Sequence, residues 1–195
     1  MTSLLAVFED LVVADFGSRD LNELRRHLAP PDEPMSTVTR ARQFLDSLAL
    51  VQRKKPQQVY TWVGTRLIAR LLDSTPTMVK GHTSVGTVLL QLHLLIPRIA
   101  AEQLPGSACP EFWGDLMGGE VVRVGFDGDE ELAWVLEGAV RALATHFGEE
   151  VEITRAFPRR SLPDRRLVDV RRVPKPRASR PTLASSGLSS AGHRG

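Results

Sequence analysis

The sequence holds one cysteine, Cys109, in 195 residues. A lone thiol closes no internal disulfide and completes no cysteine zinc site, which makes the cytoplasm the expected compartment. No apolar run approaches the eighteen or so residues that span a bilayer. The opening MTSLLAVFEDLVV meets Glu9 and Asp10 instead of a cleavage site, so membrane and secretory readings both fail. Catalytic signatures are missing as well. There is no phosphate-binding glycine loop, no nucleophile elbow and no His-Glu-x-x-His helix, and the five histidines lie far apart. Nothing here argues for an enzyme.

What is present is enough apolar residue, 42%, for one packed domain. The net charge of +2 conceals an asymmetry: residues 155–195 carry ten Arg, one Lys and two Asp, a net of +9, which leaves −7 on the remainder. From Pro174 onward large apolar residues almost vanish, so the expected organisation is a domain over 1–173 and a disordered basic tail over 174–195. No aromatic residue interleaves the tail arginines, which favours a solvated tail over a nucleic-acid partner.

Apolar spacing predicts a helix over Leu4 to Phe16 closed by Gly17, and a second, capped by Asp20, through Leu28 to a stop at Pro30-Pro31. A third starts at Ser36 or Thr37 and runs to Val51, where Arg53-Lys54-Lys55 suits a helix C-terminus better than a phosphate site. Pro56 opens a fourth through Leu71. After Pro105-Gly106 the character changes. Glu111 to Leu116 and Val121 to Phe126 read as strands joined at Gly118-Gly119, and a helix follows to a stop at Gly148. Glu150 to Arg155 and Arg166 to Val173 complete the strands. The expected fold class is α+β: a helical N-terminal half followed by a small antiparallel sheet with one long helix. Asp127, Asp129, Glu130 and Glu131 form a carboxylate cluster that helix capping explains. His27 and His146 suit helix ends, and His82 a helix-entry turn before Thr83-Ser84.

The sharpest stretch is Thr83 to Gln103. Val85, Val88, Leu89, Leu92, Leu95, Ile96 and Ile99 recur at three and four, so most of it is expected to form one amphipathic helix. His93 sits among leucines, and Pro97 deprives the His93 carbonyl of its amide partner, at about 3 kcal/mol in an ordinary helix interior. A histidine so placed is either satisfied by a backbone carbonyl or an axial ligand to haem iron in an apolar pocket.

Several landmarks share a spacing: Phe8-Glu9-Asp10, Phe16-Gly17, Val63-Gly64, Pro76, His82-Thr83-Ser84, Leu89-Leu90, Pro105-Gly106 and Pro110-Glu111-Phe112. Leu136-Glu137-Gly138 and His146-Phe147-Gly148-Glu149-Glu150-Val151 form a second block. Together they resemble the haem nitric-oxide/oxygen-binding (H-NOX) domains of bacteria over nearly all of residues 4–173. The resemblance implies a sensor domain that holds haem b by a helix histidine and grips its propionates with a Tyr-x-Ser-x-Arg strand. It also implies a signalling partner of the kinase, cyclase or chemotaxis type.

Carried over residue by residue, the resemblance gives a different expectation. The proximal histidine falls on Pro97, and the Tyr, Ser and Arg fall on Val122, Val124 and Phe126. Burying propionates against these apolar residues would cost several kcal/mol, whereas the same side chains are suited to fill the space a haem would occupy. The reading favoured is therefore a haem-free, non-enzymatic signalling domain acting through protein contacts or another apolar ligand. The alternative is a haem sensor of nitric oxide or oxygen, in which a gap upstream puts His93, one turn before Pro97, at the ligand position.

Overall fold

The computed structural model describes residues 3–28, 36–103, 110–156 and 165–174. In chain order the elements are α1 (Leu4–Phe16), α2 (Ser18–His27), α3 (Thr37–Val51), α4 (Pro56–Ser74), a short 3-10 helix (Pro76–Val79), α5 (Val85–Leu89) and α6 (Leu92–Gln103). Then come β1 (Phe112–Leu116), β2 (Val121–Asp127), α7 (Glu130–Phe147), β3 (Glu150–Ala156) and β4 (Arg165–Val173). This is the α+β order expected from the apolar periods.

Capping chemistry sets most of the boundaries. Ser3, Ser36, Ser84 and Asp129 each accept a hydrogen bond from a backbone amide of the first turn that follows, starting α1, α3, α5 and α7. Gly148, at φ 63°, takes the left-handed conformation that closes α7. Gly118 and Gly119, both at positive φ, turn β1 into β2. Asp20 corrects an expectation. It lies inside α2, which starts from Gly17 without a side-chain cap, and its carboxylate instead accepts from Gln52 Nε2 at 2.6 Å. Pro30-Pro31, Pro105-Gly106 and Cys109 lie outside the described residues, as does the tail beyond Pro174.

The stretch from Thr83 to Gln103 is two helices and not one. The expected stripe does face inward, with Val85, Val88, Leu89 and Leu92 buried and Leu95, Ile96 and Ile99 packed at its margin. At Leu90-Gln91 the ladder tightens, Gln91 N donating to the Val88 carbonyl at 3.0 Å, before Leu95 N resumes the helical pattern at the Gln91 carbonyl. β1 crosses over this joint so closely that a Cβ on Gly114 would lie 2.4 Å from the Leu89 carbonyl oxygen. Pro97, which the period made the natural place for a break, is carried inside α6. His93 is exposed, so water can take up the carbonyl that Pro97 leaves without an amide.

The sheet is antiparallel with order β1-β2-β4-β3, so the last strand lies between β2 and β3. Its inner face carries Val122, Val124, Phe126, Val168 and Val170, and with α5, α6 and α7 it encloses one apolar core. A second core gathers Phe8, Val12, Leu24, Phe44, Leu48 and Val63 from α1 to α4. Between the two run α4 and α7, crossing at contact distance: a Cβ on Gly64 would lie 2.0 Å from the Val135 carbonyl oxygen, and one on Gly138 1.9 Å from that of Thr61. The Thr65 hydroxyl donates to both the Thr61 and the Gly138 carbonyls across this joint.

Candidate functional site

The five residues singled out by the sequence divide into two groups. Val122, Val124 and Phe126 alternate along β2 and therefore share one face of the sheet. All three are buried, Val124 and Phe126 completely, and Phe126 stacks on Phe112 of the neighbouring strand with ring centroids 5.6 Å apart. They belong to one cluster with Leu92, Leu95, Ile96 and Ile99 of α6's inner face, joined by Ile68, Leu71 and Leu72 of α4. His93 and Pro97, one helical turn apart on α6, share the opposite side and are both exposed.

The geometry answers whether these residues suit a haem. An iron needs an imidazole aimed into an apolar space, and none of the four described histidines is buried: His27, His93 and His146 are exposed and His82 is half-buried. Pro97 has no donor atom to offer. Propionates need hydroxyls or guanidinium groups, and Val122, Val124 and Phe126 offer neither. As arranged, the five positions do not fit a haem. Among the described residues, no three His, Cys, Asp or Glu side chains gather to hold a metal ion either.

Polar chemistry on β2 points the other way. Arg123, between Val122 and Val124, projects from the outer face of the sheet and pairs with Asp169 of β4 through Nε at 2.7 Å and Nη2 at 2.8 Å. This bidentate hydrogen bonding lowers the Asp169 carboxyl from its usual value and, by the same bond, raises Arg123, which Asp115 also reinforces. The carboxylates grouped in sequence at the start of α7 disperse into structural roles. Asp129 caps α7 and meets Arg42 of α3, and Glu130 pairs with Arg155 of β3.

A cleft of about 200 Å³ opens where the first turn of α5 meets one end of the sheet. Val85, Leu90, Leu116, Val122, Val151 and Val170 make its apolar wall, and Glu120, Glu149 and Arg172 add charge. The Glu149 side chain is only 7% exposed. One of its oxygens accepts from the Val85 amide at 2.9 Å and the other meets Arg172 Nε at 3.3 Å. Sequence reasoning missed this carboxylate, because it took Glu149 as part of a spacing landmark. A glutamate directly after the helix-stopping Gly148 was the available signal.

No protein-family profile matches the sequence, and no curated protein matches it. Solved structures do. An H-NOX protein from S. oneidensis in the Fe(II)NO ligation state superposes with a TM-score of 0.72 at 19% identity, covering 87% of this chain and 97% of that one. The NMR structure of an H-NOX domain from Shewanella oneidensis in the Fe(II)CO ligation state gives 0.74 at 19% identity, covering 90% and 100%. An unliganded Fe(II) H-NOX variant from K. algicida gives 0.72 at 14% identity, covering 86% and 93%. The described elements therefore form a small α+β domain in which a helical half meets a four-stranded antiparallel sheet. That domain has the H-NOX fold, as the spacing of landmarks from Phe8 to Val151 implied.

Proposed function

We propose that this chain is a non-enzymatic sensor or signalling domain of H-NOX fold that works without haem, through protein contacts or another apolar ligand. One observation carries the reading: the position of the expected iron ligand holds an exposed proline, while the three positions expected to grip propionates hold buried apolar side chains. Each replacement removes a donor, and together they favour a filled interior over a cofactor pocket. A kinase, cyclase or chemotaxis protein is the class of partner that fits a domain of this fold without catalytic groups of its own. The cytoplasm is the compartment that fits it, and no helix among the described residues is long and apolar enough to cross a membrane.

A second reading has its own support. The similar proteins above are described in Fe(II) ligation states, and His93 precedes Pro97 by one turn. Under that reading α6 rotates so that His93 faces inward as the axial ligand. Expression with haem supplied, followed by absorption spectroscopy of the purified protein, separates the two. The haem-free reading expects no stoichiometric Soret band. A full band that His93→Ala abolishes would replace it with the haem sensor.

A further inference from the structure

The cleft beside α5 lies outside the positions that the H-NOX resemblance assigns to haem, apart from Val122 on its wall, and it has the composition of a small binding site. Its wall is apolar on both sides, from Val85 and Leu90 above to Val151 and Val170 of the sheet below. At about 200 Å³ it falls below the range of about 300–1,000 Å³ typical of drug-sized ligands, which restricts it to a short body. Its charge is unbalanced, because among the described residues its lining carries Glu120 and Glu149 against Arg172. Arg172 is already engaged by Glu149 and its side chain is 54% exposed. Glu149 keeps unused lone pairs beyond the bonds to Val85 and Arg172, in surroundings that strengthen any further charge-assisted bond.

We propose that this cleft binds a small cationic amphiphile, a short alkyl body carrying a protonated amine, with the body against Val122, Val151 and Val170 and the amine beside Glu149 and Glu120. The proposal rests on the reading of the domain as a sensor of something other than haem. The amine is recognised by acids and the chain by the valines, so a carboxylate of equal length is repelled and an alcohol of equal length keeps only the apolar part. The site also joins α5 to β3 and β4, so occupancy bears on how the first turn of α5 sits on the sheet.

The test is an amide chemical-shift titration of the full chain with n-hexylamine, and in parallel with n-hexanol and n-hexanoate. The expected result is saturable shifts confined to Val85, Gly86, Leu90, Val122 and Glu149 with hexylamine, and at least tenfold weaker binding of hexanoate. Glu120→Gln is expected to bring hexylamine toward the affinity of hexanol. A Cβ on Gly86 would sit 3.4 Å from Val122 Cγ2, so Gly86→Leu grows into the cleft and is expected to abolish binding. Leu116→Lys, at an exposed position on the rim, sets a like charge there and supplies an independent loss should Gly86→Leu fail to fold. Absence of saturable shifts, equal binding of hexanoate, or binding retained by the folded variants would overturn the proposal. None of these outcomes bears on the Soret measurement, which tests the haem-free reading by itself.

Discussion

Gly138 of α7 faces the Thr61 carbonyl of α4 so closely that the first carbon of any side chain would fall 1.9 Å from the oxygen. The reciprocal contact of Gly64 with the Val135 carbonyl, at 2.0 Å, makes the crossing a matched pair of glycines against backbone. Backbone cannot swing aside as a side chain can. Gly138→Ala is expected to lower stability by about 3 kcal/mol, at the upper end for overpacking, read as a fall in the urea midpoint. Because both glycines serve one crossing, Gly64→Ala/Gly138→Ala should cost less than the two single changes combined. Strict additivity would mean that the two contacts are independent.

Tyr60 is the chain's one tyrosine, which makes it a clean optical probe. Burial raises its phenol above the ordinary value of 10.0, and donation to Asp46 Oδ1 at 2.9 Å raises it further. The folded state therefore holds the proton more tightly than the unfolded one. The resulting stability is complete below pH 10 or so, and is lost as the pH climbs toward the raised folded value. Phenolate absorbance should appear only together with loss of the far-ultraviolet circular dichroism of the helices. A phenolate step near pH 10 with the helices intact would contradict this.

At the acid end the sign reverses for Asp169. Its carboxyl is lowered by the hydrogen bonds from Arg123, so the folded state releases the proton more readily. This contribution is present above the usual value of 3.8 and fades as the pH falls through the lowered one. Asp169→Asn should be less stable than the parent near neutral pH, with the gap closing in acid. Urea midpoints measured across that range check it; a gap that stays constant with pH would point to shape and not charge.

Phe126 tests the filled interior. It is wholly buried and stacked on Phe112, so Phe126→Ala should cost about 3–5 kcal/mol. A cost below about 1 kcal/mol would mean that the space around it collapses freely and is not packed. Pro97→Ala is expected to act in the opposite direction. It restores an amide to the His93 carbonyl and should raise stability by about 1 kcal/mol, less than the full helix-interior difference because both residues are exposed. Thermal melting of the pair reads both signs.

Much of this fold was legible because local chemistry marked it. Ser36, Pro56, Ser84, Gly118-Gly119 and Gly148 each stand where a cap or turn needs that residue type, and the apolar stripe from Val85 to Ile99 faces the core it was expected to face. What sequence could not show was set by distant contacts. The break at Leu90-Gln91 falls where β1 crosses at Gly114, 24 residues away in the chain, and not at Pro97. Asp20 looked like a cap because nothing local revealed Gln52 as its partner. The alternation of Val122, Val124 and Phe126 could be read from β2 alone. The side of α6 that His93 occupies could not, because the leucines around it spoke for burial and the packing of the sheet decided otherwise.

The strand order β1-β2-β4-β3 has a consequence for how the molecule is made. β3 has no partner other than β4 among the described strands, so until β4 slides into the gap, the hairpin and β3 are two separate pieces. On the ribosome the N-terminal helices can assemble as they emerge, while the sheet must wait for β4 to leave the exit tunnel. Chains cut before Arg165 would present two unsatisfied edges to their neighbours, and aggregation, more than simple loss of activity, is the hazard such fragments carry.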